Sequence, residues 1–228
     1  MQSILPLTNC PDAQKMVEYL QGSDEKTRAS LSRTLHDELG GLLVSVVMDV
    51  GFAEQHLPLD DGLRARLARV RRTLAEAIDL KRKIIEGLSP SMLENLGLFE
   101  ALKWEVKQRC NALHLPYTEI YPETEPRFTN EASIALFRMG QESMEIALHQ
   151  PSVTAAHLAI TIDGDTLRMA VSHEGTPIPR LEQDDALALC CVAHRAYAFG
   201  GQMTLTAIEG GGGAIYSARL PLARLTER

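Results

Sequence analysis

The chain has 228 residues, of which 45% are hydrophobic and 23% charged, and its formal net charge is −7. That suits one or two globular domains, and the acidic balance argues against a general nucleic-acid binder, whose phosphate contacts need clustered Lys and Arg. No apolar run approaches the roughly 18–20 residues of a membrane span.

The most apolar run, Leu39 to Val50, is broken by Ser45 and Asp49. Met1 to Cys10 lacks the basic start and apolar core of a signal peptide, so a cytoplasmic protein without membrane insertion is expected. Cys10, Cys110, Cys190 and Cys191 show no paired metal-ligand spacing, and no metal is expected. The adjacent Cys190 and Cys191 suit small buried residues on a helix.

In chain order, Pro11-Asp12 opens a short helix over 11–20 that Gly22 closes. Ser23-Asp24-Glu25 opens a longer one. Leu31, Leu35, Leu39, Leu42, Leu43, Val46, Val47 and Val50 recur in steps of three and four, which gives a wide apolar stripe. Pro58 stops this helix near Leu57, and Leu59-Asp60-Asp61-Gly62 makes a turn. A third helix aligns Leu63, Leu67, Val70, Leu74, Ile78, Ile85 and Leu88. The arginines from Arg64 to Arg72 read as its solvated face. Two long helices on a short loop form an antiparallel hairpin, and a second copy would bury the exposed halves of both stripes in a four-helix bundle. A homodimer is expected.

The pattern changes after Leu88-Ser89-Pro90. A helix is expected over 97–113, a strand over 115–121, a helix over 130–149 and another over 184–199. Strands follow the alternation at His157–Ile162, Leu167–Ser172, Gln202–Ile208 and Ala214–Leu220. The fold class is therefore a helical hairpin followed by an α+β sandwich with helices on one face of a sheet. The boundaries fall at an N-terminal helical extension over 1–22, the hairpin over 23–90 and the sandwich over 91–228.

The chemistry concentrates in Leu35-His36-Asp37-Glu38-Leu39. If Leu35 and Leu39 point inward, His36 and Asp37 lie at or beyond the edge of the stripe. Asp37 can hold one ring nitrogen or accept its proton, and the neutral imidazole can then attack a phosphoryl group. Taken alone, the tripeptide reads better as a solvated surface histidine with helix-capping acids.

Two motifs change that balance. Leu-His-Asp-Glu-Leu-Gly at 35–40, and the linker residues Leu88, Pro90, Leu93, Leu96, Gly97, Leu98, Ala101 and Leu102, resemble the dimerisation and phosphoacceptor segment of NarX/DesK-type histidine kinases. The resemblance continues to the C-terminus, over a GHKL-type ATPase domain. It implies that His36 is the phosphoacceptor, that Asp37 assists proton removal and that Glu38 supports them. Where many relatives carry the Gln that orients a dephosphorylating water, this chain has Gly41, which has no amide to aim one.

The nucleotide-binding positions of that family depart more severely. Phe137-Arg138-x-x-Gln141-Glu142 matches the start of its ATP-binding helix, but the magnesium-holding Asn falls on Ile146, or on Glu145 if the register slips by one. The adenine box reads His173-Glu174-Gly175-Thr176-Pro177, with His173 in place of Asp and Pro177 in place of Gly. The phosphate lid's Gly-x-Gly falls on Ala186-Leu187-Ala188, where side chains replace bare backbone. Phe199-Gly200-Gly201, Gly210 to Gly213 and Leu220-Pro221-Leu222 match the family's structural turns.

The resemblance thus implies a pseudokinase or histidine phosphotransfer protein with no cofactor. It would exchange phosphate at His36 with response-regulator receiver domains or a separate or hybrid histidine kinase. Two alternatives stay open: an active kinase that binds ATP and magnesium in an atypical site, and a non-enzymatic scaffold that sequesters a response regulator.

Overall fold

The computed structural model describes residues 11–58, 60–88, 91–175, 183–208 and 212–227. They fall into two compact units, residues 20–91 and residues 92–228 with the first 19. Met1 to Cys10, Leu59, Ser89-Pro90, Thr176-Pro177 with the lid segment to 182, and Gly210-Gly211 lie outside the described residues.

Helix α1 is Pro11–Thr34, a π-helical turn spans Leu35–Leu39, and α2 is Gly40–His56. The expected break at Gly22 is absent, and α1 runs through it. A closing glycine needs the left-handed conformation, and Gly22 is not among the described positive-φ residues. Ser23 and Asp24 do not open a new helix. The Ser23 carbonyl accepts from Thr27 Oγ1, and Asp24 pairs with Arg28 at 2.7 Å. Interior glycine costs only about 1 kcal/mol, which a continuous backbone ladder offsets.

Leu57 turns extended before Pro58. Asp60 accepts the Leu63 amide at 2.7 Å through Oδ1, an N-terminal cap for α3, Asp61–Leu88. Helix α3 packs against α2 as the expected hairpin, and the arginines from Arg64 to Arg72 are exposed as expected.

In the other unit a short helix not foreseen from the sequence, α4 (Ser91–Leu96), precedes α5 (Leu98–Ala112). Gly97 joins them at φ +88°, a conformation that favours glycine. The Glu125 carboxylate accepts the Leu98 and Phe99 amides at 2.7 Å each, closing the start of α5 from across the chain. Strand β1 is Tyr117–Ile120, α6 is Asn130–His149, β2 is Ala155–Asp163, β3 is Thr166–Glu174, α7 is Gln183–Ala198, β4 is Gln202–Ala207 and β5 is Ala214–Pro221. Thr129 caps α6 by accepting the Ala132 amide, and Gly164 at φ +53° turns β2 into β3.

The sheet order is β1-β2-β3-β5-β4. Only β1–β2 is parallel; the remaining pairs are antiparallel. Alternation sends Leu158 and Ile160 of β2, Leu167, Met169, Val171 and His173 of β3, and Tyr216, Ala218 and Leu220 of β5 into one buried layer. Helix α6 covers β2 and β3, α7 covers β4 and β5, and α5 packs on α6 and β1. This is the expected α+β sandwich. Cys110 is buried, but Cys190 and Cys191 are only half-buried, because α7 turns its small-residue side partly outward.

Candidate functional site

His36 sits inside the π turn. The Gly40 amide reaches back to the Leu35 carbonyl, five residues earlier, which is the wide-turn pattern. The extra residue shifts the phase of the stripe. Leu35 is half-buried, but Leu39, expected inward, is 38% exposed. The His36 and Asp37 side chains are 73% and 74% exposed, with His36 Nδ1 3.1 Å from Asp37 Oδ1. A carboxylate only accepts, so it selects the Nδ1–H tautomer and leaves the Nε2 lone pair facing water. Glu38 is exposed on the same turn, and the ring's partner is Asp37.

Two glycines follow. Gly40 is buried, and a Cβ built there would lie 2.9 Å from Lys81 Nζ. Gly41 is exposed and faces open space, with nothing within 4 Å of a built Cβ. Gly41→Ala should therefore gain roughly 0.5–1 kcal/mol from helix propensity, read as a higher denaturant midpoint with an unchanged slope.

The positions matching the nucleotide site are placed otherwise than a nucleotide requires. Ile146 is 1% exposed and belongs to the hydrophobic core, so it offers no oxygen to a hard cation. Glu145 is exposed and lies 3.4 Å from Arg109, its carboxylate turned toward α5. His173 is fully buried, with its ring centroid 6.0 Å from that of Tyr216. Among the described residues neither ring nitrogen of His173 has a hydrogen-bond partner. Gly175, at φ +140°, is packed on the Ser152 carbonyl, where a Cβ would collide, so its backbone already needs glycine. Ala186 and Ala188 are half-buried residues of α7. These residues do not fit magnesium-ATP.

Gln141 and Arg138 hold the sandwich together. Gln141 Nε2 donates to Glu105 at 2.9 Å, and Arg138 Nη1 donates to Gln141 Oε1 at 2.8 Å, tying α5 to α6. Glu142 pairs with Arg195 of α7 at 3.1 Å. The sequence offered no sign of that ion pair, because its partners are 53 residues apart.

Burial holds the His173 pKa below its ordinary 6.5. The unfolded chain then takes up a proton near pH 6.5 that the folded chain refuses, so stability falls as pH drops below that value. His173→Phe keeps a ring of similar shape and removes two unpaired nitrogens. It should flatten that acid limb, gaining on the order of 1 kcal/mol at pH 5.5 relative to pH 7.5. Urea midpoints at the two values measure it.

The family model described as histidine kinase, HisKA_3, matches residues 27–93. The histidine-protein kinase/phosphatase UhpB of Salmonella typhimurium is 20% identical over 201 residues, 86% of this chain and 39% of its own length. The oxygen sensor histidine kinase NreB of Staphylococcus carnosus is 26% identical over 168 residues, 73% of this chain and 48% of its own. The chain therefore spans less than half the length of these two relatives. A solved histidine kinase domain, from the blue-light activated kinase EL346 of Erythrobacter litoralis, superposes with a TM-score of 0.53 at 17% identity over 86% of this chain and 97% of that one, which shows a shared fold. Among the described residues no helix is long and apolar enough to cross a membrane. Residues 27–93 thus match a histidine kinase family model, and over most of its length the chain is similar to signal-transduction histidine kinases.

Proposed function

We propose that this chain accepts a phosphoryl group on His36 from the phospho-aspartate of a receiver domain and passes it to another, without ATP-dependent autophosphorylation. The observation that carries this is the exposed His36 ring with Nδ1 held by Asp37, in a chain whose second domain lacks nucleotide chemistry at the matching positions. In the forward step Nε2 forms a bond to phosphorus, the acyl-phosphate P–O bond breaks, and the receiver carboxylate leaves with the electron pair. The Nδ1 proton stays on the ring, held by the Asp37 carboxylate, or passes to it. A receiver domain brings its own magnesium and carboxylates, so a relay of this kind asks mainly for positioning and charge handling on this side.

A second copy of the chain is the partner of the hairpin. Val44, Val46, Val47, Met48 and Phe52 of α2 and Val70, Leu80 and Ile84 of α3 are exposed, more apolar surface than a lone hairpin keeps in water. Leu42, 66% exposed one and a half turns past His36, together with Leu39 and the outer face of α3, forms the proposed receiver docking surface.

Incubation with a phosphorylated receiver tests the function. Acid-labile label should appear on wild-type protein, while γ-labelled ATP alone should leave it unlabelled. Label from ATP would support the active-kinase alternative, and no label from any receiver would leave the scaffold.

A further inference from the structure

On α3 the half-buried and buried residues include Leu67, Leu74, Ala77, Ile78, Lys81 and Ile85, a seam on one face of the helix that packs against α2. Lys81 is the charged member of that apolar row. A lysine there must carry its ammonium to water or to a partner. Among the described residues no carboxylate meets it within ion-pair distance. It meets Gly40 instead. A Cβ on Gly40 would stand 2.9 Å from Lys81 Nζ, with the Leu35 carbonyl 3.9 Å from the same point. The ammonium fills the notch left by the missing side chain, beside the carbonyl that precedes His36.

We propose that Lys81, seated by Gly40, is the positioning cation for the phosphoryl group entering and leaving His36. The inference rests on the phosphoacceptor reading above. Phosphate arrives with negative charge at a turn that already carries Asp37 and Glu38, both exposed. Like charges oppose that approach, and a cation in the facing seam offsets them. Arg33 lies one turn back but is exposed on the surface, whereas Lys81 is half-buried in the seam with its Nζ at Gly40.

Phosphoramidate is the test donor. Nε2 forms the bond to phosphorus, the donor's P–N bond breaks, and ammonia leaves. The full chain is labelled, acid-labile phosphate is followed on gels, and thermal unfolding is recorded alongside. Lys81→Met should label about tenfold more slowly and lose most of the dependence on ionic strength, since a screened cation carries that dependence. Its melting temperature should rise, because an apolar residue replaces a charge in the seam. Lys81→Arg should recover most of the rate. Gly40→Ala displaces only the flexible end of Lys81 and should slow labelling as Lys81→Met does, while Gly41→Ala leaves the rate unchanged. Wild-type rate and salt slope in Lys81→Met, with His36 still the labelled residue, would overturn the proposal. Wild-type protein that takes no label from phosphoramidate or from any receiver would overturn the phosphoacceptor reading itself.

Discussion

His36→Gln should abolish acid-labile labelling from a phosphorylated receiver, to background, while leaving the fold intact. The side chain is 73% exposed, and substitutions at such positions usually move stability by less than about 0.5 kcal/mol. The nucleophile is removed outright, so no residual transfer is expected at this turn. Asp37→Asn should be graded rather than absolute. It keeps the shape at Nδ1, 3.1 Å away, but an amide no longer enforces the Nδ1–H tautomer or takes up positive charge from the ring. A loss of about 10²-fold in transfer rate fits the usual worth of a proton-handling group. Equal loss from both variants, or none from either, would break the assigned roles. Biological activity that survives His36→Gln would identify the chain as a scaffold.

The hairpin and the sandwich were legible because both rest on periodicity, and burial on one face is what writes periodicity into a sequence. The stripe from Leu31 to Val50 and the alternation in β2 to β5 carried that signal. Local features resisted where a competing term was small or distant. Gly22 looked like a stop, yet nothing forces φ positive there, and the ladder runs on. The π turn inserts one residue in a stripe that reads as continuous, so Leu39 was placed inward and emerges exposed. His36 was found from its motif; its tautomer, set by Asp37, needed coordinates. Lys81 was hidden in plain view, since the run Lys81-Arg82-Lys83 between Ile78 and Ile85 reads as ordinary helix-face charge until Gly40 is seen opposite Lys81. The changed nucleotide positions were visible one at a time. That Ile146 and His173 both enter the buried layer follows from helix phase and strand alternation together.

Arg195→Met should destabilise the second unit by breaking a buried ion pair. Arg195 is buried, and its Nη2 lies 3.1 Å from Glu142 Oε1, linking α7 to α6. Its removal takes away the cation 3.1 Å from a carboxylate that is 24% exposed. Breaking a fully buried pair costs about 3–5 kcal/mol, and partial access to water lowers that to roughly 2–3 kcal/mol. For a domain of this size the melting temperature should fall by about 6–10 °C. The second substitution distinguishes charge from packing. Glu142→Gln added to Arg195→Met removes the carboxylate's charge and should recover more than half of the loss, a coupling measurable in a double-mutant cycle. A double variant no better than the single one would mean that Arg195 acts through its packing alone. Neither variant should gain affinity for ATP, because Ile146 one turn onward still offers no oxygen. The ion pair stabilises the sandwich by holding α7 against α6.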